Sequence, residues 1–481
     1  MNTSVTKYFK IYVGVFLFLF CFKTNAQKTW TLQDCIDYAI KNNIQVKQNE
    51  LNAESAKYNV TQSEASTLPT LNGIAAHTYN FGRTIDPFTN EFANSEVLSQ
   101  NFALSSGVTL FNGLQAYNTI KQNQFNYIGS KYDVDKMKND ISLNVANNYL
   151  QVLFNEELIN IAKSQVDLSY KQVEQTKKLV DAGNLAKGSL YEIQAQLATD
   201  ELSLTNTQNQ LDLSYLALTQ LLNLDSVGDF KIATPEINLP VEPVLASTPG
   251  QIFLAAQAVL PEIKSAQFKL KGYEKALAVA KGAISPKLTL SGSYGTGYSG
   301  LSKELIGIPT ITGYQPNPYG YVTSSGDAVL APVYNAAYQT TPYSDQYKNN
   351  VNKTIGLRLT IPIFNGLQTK TAISQAKIQK QNADYNLDLA KIQLRKTIQQ
   401  AYADASAALK KYYSTIKARD AIKESFKYSE AKFSLGVVSS LDYVTAKNKL
   451  TKAESDLLQA KYDYVFKTKV LDFYQGKPIT L

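Results

Sequence analysis

Residues 353–364 read KTIGLRLTIPIF, and they alternate without a break. Ile355, Leu357, Leu359, Ile361 and Ile363 fall on one side; Thr354, Gly356, Arg358, Thr360 and Pro362 fall on the other. A period of two marks a strand whose faces meet different surroundings. The next residues, NGLQ, end it with a turn signal. The same words occur earlier: TLFNGLQ at 109–115 matches PIFNGLQ at 362–368, 253 positions on.

That spacing extends in both directions. Downstream, without a gap, an offset of 253 pairs Ile120 with Ile373, Tyr132 with Tyr385, Tyr149 with Tyr402, Gly183 with Gly436 and Glu201 with Glu454. Upstream the offset becomes 217, pairing Thr31 with Thr248, Ala39 with Ala256, Pro69 with Pro286 and Leu71 with Leu288. The difference, 36 residues, is an insertion between Leu288 and Phe364. A duplicated unit that accepts an insertion at one place shows where its free loop lies.

Each unit reads helix, strand, loop, strand, very long helix, tight turn, helix. The first helices are expected at about 31–67 and 248–284, stopped by Pro69 and Pro286. From 114 to about 180 the pattern is helical throughout, on the order of 100 Å at 1.5 Å per residue. Ile141, Val145, Tyr149, Val152, Ile159, Val166, Tyr170, Val173 and Val180 give it a coiled-coil stripe, broken by Glu156, Lys163 and Lys177. The other faces are Asn, Gln, Ser, Lys and Asp, so the helix buries a narrow seam and leaves the rest wet. A rod-like scaffold has the same pattern.

The strands separate the two readings. Beside 353–364, NFALSSGVTLF at 101–111 sets Phe102, Leu104, Val108 and Leu110 on one face. Weaker partners are expected at about 70–81 and 287–298, with Tyr79, Phe81, Tyr294 and Tyr298 near their ends. Segments of about ten residues, apolar on one face and small or polar on the other, are the pattern of membrane β-barrels. Four strands fall short of the roughly eight that the smallest barrels use, and lipid tolerates no open edge. The chain is therefore expected to oligomerise. Segments 82–100 and 299–352, rich in Gly, Pro, Tyr and Asn, are expected as exposed loops, and TPEINLPVEPVLASTP at 234–249 as an extended strap.

Composition narrows function. Lys7 and Lys10 precede an apolar run from Ile11 to Phe22, and TNA ends at Ala26, so residues 1–26 read as a secretory signal peptide. Cys21 does not read as a lipid-anchored cysteine, because bulky Phe20 precedes it. Export leaves Cys35 as the one cysteine, with no partner for a disulfide, and Met137 as the one methionine, so no thioether relay for soft metals is expected. The 48 basic and 40 acidic residues are interspersed, which argues against nucleic acid as a partner. His77 is the only histidine and reads as an ordinary strand side chain; no hydrolase or nucleotide-binding motif occurs. No enzyme activity, cofactor, catalytic residue or metal ligand is expected.

The chain resembles the TolC family of outer-membrane channel proteins over essentially all of its mature length. The residues carrying the likeness are TLQDCIDYAIKNN after the signal, LPTL at 68–71, the two FNG turns, LVDAGNLAKGSLYEIQAQL at 179–197 and KFSLGVVSSLDYVTAKNKL at 432–450. The resemblance implies an α-dominated α+β membrane protein. It would be a homotrimer with one twelve-stranded barrel, four strands per chain, above a periplasmic tunnel of coiled helices. The units would be repeats at 27–230 and 248–474, joined by a strap at 231–247 and followed by a tail at 475–481.

As function it implies a passive exit duct in the outer membrane of a Gram-negative cell. A periplasmic adaptor would join it to an inner-membrane pump of the RND or ABC type, carrying small toxic compounds; a protein- or peptide-exporting duct of type I secretion is the alternative. Ala182, Gly183, Asn184, Leu435, Gly436 and Val437 would be the tips that dock the adaptor. Asp442 would line the periplasmic gate, with Thr445 where the family has a second aspartate and Val438 where it often has a basic residue. As a plain reading, Asp442 is an acid near a helix N-terminus, where the dipole favours it. Asn112, Gly113, Asn365 and Gly366 are expected to be structural, asparagine capping a helix and glycine turning the chain.

Overall fold

The structure is a computed structural model that describes residues 29–86, 88, 90, 92, 93, 96–224, 230–235 and 247–480. The expected signal peptide and most of the expected strap lie outside the described residues. In chain order the elements are β1 (Thr29–Trp30), α1 (Leu32–Asn42), α2 (Ile44–Ala65), β2 (Thr70–Asn80), β3 (Thr84–Ile85), β4 (Phe92–Ala93) and β5 (Val97–Phe111). Then come α3 (Gln115–Asp181), α4 (Lys187–Leu221), β6 (Lys231–Ile232), α5 (Pro249–Val259), α6 (Pro261–Gly282) and β7 (Lys287–Ser299). The chain ends with β8 (Lys303–Tyr321), β9 (Ala328–Thr340), α7 (Tyr343–Asn349), β10 (Asn352–Thr360), α8 (Gln368–Ser434) and α9 (Ser440–Tyr474). Helix predominates, with a smaller share of strand.

The chain divides into two compact units. One holds residues up to 57, 125–271 and 381–481; the other holds 58–124 and 272–380. Both long helices, α3 and α8, have 67 residues, and α4 and α9 both have 35. The duplication is thus written into helix length as well as sequence.

In the first unit, both repeats open on the same capping box: Thr31 with Asp34, and Thr248 with Gln251. Each box satisfies two backbone donors that a helix start leaves free. The expected helices 31–67 and 248–284 are each two helices, not one. Asn43 breaks the first and Leu260, before Pro261, breaks the second; both residues have extended backbone. Asn43 also takes hydrogen bonds from the N–H of Gln45 (2.8 Å) and Val46 (3.4 Å), restarting the helix behind itself. The main core gathers Leu32, Cys35, Ile36, Val46, Ile141, Val145, Tyr149, Val152, Leu218, Leu458 and Val465. Tyr149 crosses it to donate to the carbonyl of Ala233 (2.6 Å), with Trp30 O at 3.1 Å, where β1 pairs parallel with β6.

The stripe predicted on α3 holds as far as Ile159 and then shifts. Past that point the buried positions are Ala162, Gln165, Ser169, Gln172 and Thr176, while Tyr170 is exposed and Val166 and Val173 are half-buried. Two successive steps of three residues, Ile159 to Ala162 to Gln165, displace the seam by one position, a stammer in the alternation of threes and fours.

The second unit holds a four-stranded antiparallel sheet in the order β10-β7-β5-β2. Register sorts its faces. Leu357 lies opposite Leu290, and Leu290 opposite Val108; on the other face Gly356 lies opposite Ser291, and Ser291 opposite Gly107. One side is therefore apolar and the other small and polar. The apolar side is open, with Ile355 86 %, Leu357 67 % and Leu359 60 % exposed. Among the described residues, the outer strands β2 and β10 each leave one edge unpaired. No described helix is long and apolar enough to cross a membrane.

Segment 299–352, expected as a loop, is instead mostly a long hairpin, β8 with β9, followed by α7. Local antiparallel pairing explains this: its prolines and glycines fall at bulges and edges, which strands tolerate. In 82–100, β3 and β4 form a two-residue ladder and β5 begins at Val97.

Candidate functional site

The two FNG turns share one backbone and differ in surroundings. Gly113 and Leu114 both have left-handed φ, +65° and +61°, as do Gly366 and Leu367, +61° and +65°. Glycine accepts this freely, whereas leucine does so at a cost. Asn112 Oδ1 accepts from the Ala116 N–H at 3.3 Å, an N-terminal cap on α3. Asn365 Nδ2 donates to Thr369 Oγ1.

Gly113 is seated against the end of α6. A Cβ there would lie 2.3 Å from Gly282 O and 2.5 Å from Ser285 Cβ, and Gln115 Nε2 donates to Val279 O at 3.1 Å. Around Gly366 a Cβ would meet nothing within 4 Å. Ile363 and Phe364, beside it, are open to solvent, and a shallow cleft of about 240 Å³ lies between them and Ala283.

The six tip residues form two copies of one turn. Gly183, φ +80°, donates to Val180 O (3.0 Å) while Asn184 donates to Leu179 O (2.8 Å). Gly436, φ +72°, donates to Phe433 O (2.9 Å) while Val437 donates to Lys432 O (2.9 Å). This pair of bonds uses up carbonyls a helix end leaves free and requires a residue at positive φ. Ala182, Gly183, Asn184, Leu435, Gly436 and Val437 are all exposed. Beside the first tip a candidate partner meets polar backbone, and beside the second two bare apolar side chains.

Asp442 sits in the first turn of α9. Its N–H donates to Ser439 Oγ at 3.1 Å, and Ser439 Oγ–H donates to Asp442 Oδ2 at 2.7 Å. Asp442 and Thr445 are both exposed and, three apart, share one side of the helix. The Asp442 carboxylate thus holds the capping hydroxyl of Ser439 while standing on an open face.

Behind these surfaces lies a buried polar seam that the sequence pattern did not reveal. Lys447, 2 % exposed, donates to Asp200 Oδ2 (2.6 Å), to Gln165 O (3.3 Å) and to Ser169 Oγ. Gln196 Nε2 supplies Asp200 Oδ1 at 2.8 Å. A buried ion pair is tolerated only when further hydrogen bonds complete it, as here. Nearby, Gln165 Oε1, Gln172 Nε2, Thr176 Oγ1 and Tyr443 Oη are buried and find no partner among the described residues. Burial pushes the Tyr443 phenol well above its ordinary pKa, so it stays protonated. The 4-3-4 spacing of Gln165, Ser169, Gln172 and Thr176 was the available signal, hidden because only apolar stripes read as seams.

No described group of three or more His, Cys, Asp or Glu is arranged to hold a metal ion.

A family model described as outer membrane efflux protein matches residues 35–224 and 255–476. The outer membrane protein TolC of Escherichia coli is 21 % identical over 430 residues, covering 88 % of this chain and 77 % of that protein. The alkaline protease secretion protein AprF of Pseudomonas aeruginosa is 26 % identical over 134 residues, covering 28 % of this chain and 27 % of that protein. Among solved structures, CusC aligns with a TM-score of 0.74 at 16 % identity, covering 93 % of this chain and 92 % of that one. At that identity the likeness concerns the fold.

Proposed function

The chain belongs to the outer membrane efflux protein family, and from that premise we propose that it is the exit duct of a tripartite export system for small toxic compounds. It is an outer-membrane channel protein rather than an enzyme. One observation carries the finer reading: the four-stranded sheet is apolar on one side, small and polar on the other, and open at both edges. Lipid covers the first side, water the second, and only further copies can close the edges.

The duplication supports a specific closure. Within the chain β5 of the first repeat pairs with β7 of the second. Carried by the repeat offsets, the same pairing joins β10 to β2 of the partner subunit, with Leu359 opposite Ala75 of the partner subunit and Ile355 opposite Tyr79 of the partner subunit. Three copies then make twelve strands, and Gly366 takes a seat on Ala65 and Leu68 of the partner subunit, as Gly113 does on Gly282 and Ser285.

In this reading the repeats 27–230 and 248–474 build a barrel above a periplasmic tunnel, joined by the strap at 231–247 and ending in the tail at 475–481. Segments 82–100 and 299–352 face outward. The two tips dock a periplasmic adaptor that connects an inner-membrane pump, and three Asp442 carboxylates, with Thr445, surround the entrance.

The test is reconstitution in planar bilayers, where trimers should conduct and a coiled-coil scaffold would not. Labelling intact cells checks orientation: a tag within 299–352 reached only after the outer membrane is broken refutes the topology. A protein- or peptide-exporting duct is the second reading, favoured by the stretch shared with AprF, named for protease secretion. Export assays in cells lacking this chain separate the two: loss of drug resistance supports the first, retention of a secreted protein the second.

A further inference from the structure

The long hairpin is the largest feature that a duct does not explain. β8 has 19 residues and β9 has 13, and among the described residues they pair only with each other. Both faces are open: Tyr314, Tyr334 and Tyr338 are exposed on one, Ile306, Val329 and Val333 on the other, and Ile308 and Tyr319, in the bulges, are 91 % and 94 % exposed. A two-stranded ribbon with no covered face is at best marginally stable in water. This one is nonetheless firmly rooted. Gln346, 2 % exposed, donates to Ser299 O (2.9 Å) and Thr341 O (2.8 Å) and accepts from Ser299 N–H (2.8 Å). Ser299 Oγ donates to buried Asp86, Tyr298 stacks on Tyr343 at 3.9 Å, and Thr341 N–H closes on Ser302 O at 2.9 Å. A clamp of this kind fixes where the hairpin leaves the sheet.

Composition indicates what the arm meets. From Leu305 to Thr340 the only charged residue is Asp327, although 18 % of the whole chain is charged. Identical surfaces brought together around an axis repel if they are charged, and an uncharged surface avoids that cost. Pro309, Pro316, Pro318 and Pro332 remove N–H groups along the ribbon's strands, which blunts open-ended strand addition and leaves the faces as the contact. Exposed tyrosines give large contact area with little side-chain entropy to lose. The root, on β7, lies in the same sheet whose edges require neighbouring copies.

We propose that the β8–β9 hairpin is a homotypic docking surface, packing face to face on the same hairpin of the neighbouring subunits to form a collar beyond the sheet. This rests on the trimer reading above. The test uses Tyr319→Cys in the full-length chain, with Tyr334→Cys as a second position midway along β9; Cys35, fully buried, supplies an unreactive background. Purified trimers, verified by native mass, are treated with bis-maleimides and run on denaturing gels. The expected result is covalent dimers and trimers for both variants and none for the unsubstituted chain. Intact trimers that take up a single-headed maleimide fully but never cross-link overturn the collar while leaving the trimer standing. Hairpins shielded only in whole cells, and free in purified trimers, identify a surface glycolipid or foreign protein as occupant and overturn it too. A sample with no trimers removes the assembly reading itself, and the collar with it.

Discussion

Gly113→Ala and Gly366→Ala are the same substitution at repeat-related positions, yet they should fail at different steps. Both carry the left-handed cost, about 1–2 kcal/mol for a residue with a Cβ. At Gly113 the new methyl also lies 2.3 Å from Gly282 O and 2.5 Å from Ser285 Cβ, where ordinary contact begins near 3.4 Å. Relieving such overpacking costs about 1–3 kcal/mol more. Gly113→Ala should therefore lose about 2–5 kcal/mol within its own chain and yield little folded protein.

At Gly366 a methyl meets nothing within 4 Å in the lone chain, so folding should lose only the φ penalty. In the proposed trimer the overpacking penalty appears when Ala65 and Leu68 of the partner subunit arrive. Three such seats make about 3–9 kcal/mol, between about two and six powers of ten in the trimerisation constant. Gly82→Ala, at φ +97° with nothing within 4 Å, isolates the φ penalty alone. Circular dichroism and protease resistance report the fold; native mass across a dilution series reports the trimer. If Gly366→Ala assembles over the same concentrations as Gly82→Ala, no partner occupies that seat and the repeat-derived interface is wrong.

Replacing Lys447 with Met strands the Asp200 carboxylate, 12 % exposed, and should cost about 3–5 kcal/mol; adding Asp200→Leu should recover most of it in thermal unfolding, and no recovery would refute the pairing. Burial raises the Glu262 carboxyl above its ordinary range. The folded state then holds that proton more tightly than the unfolded chain, so its contribution is full in acid and lost as pH climbs through the folded pKa. Glu262→Gln should match the unsubstituted chain in acid and melt higher at neutral pH; equal melting profiles at every pH would count against it. Asp442→Ala should weaken cation selectivity and block by multivalent cations while trimers persist, and single-channel recordings indistinguishable from the unsubstituted protein would remove Asp442 from the entrance. A bulky residue at Gly183 or Gly436 should abolish export; normal trimer yield then indicates lost adaptor contact, and collapsed yield indicates a lost turn.

The α-dominated α+β class was legible because two periods, two and three-and-a-half, could be told apart in single stretches such as 353–360 and 141–159, although the alternation runs on to Phe364, past the strand's end at Thr360. Glycine marked both tip turns, since only it takes φ near +75° without cost. The breaks at Asn43 and Leu260 were missed because one extended residue leaves the apolar pattern on both sides intact. The hairpin was missed because proline, glycine and tyrosine read as loop, while a bulged local ladder accepts all three. The seam around Lys447 was missed for a different reason. A buried lysine looks like any solvated lysine until Asp200, 247 residues earlier, is known to face it.

The open edges of β2 and β10 also bear on how a cell makes this protein. The first unit buries apolar cores of its own within one chain. In the proposed trimer the sheet closes only with neighbouring copies, so its completion depends on the cube of protomer concentration. A small fall in synthesis should cost more channels than protomers. A protomer whose β10 edge is blocked would spoil every ring it joins, wasting two sound partners each time. Such an allele would be dominant over the normal one.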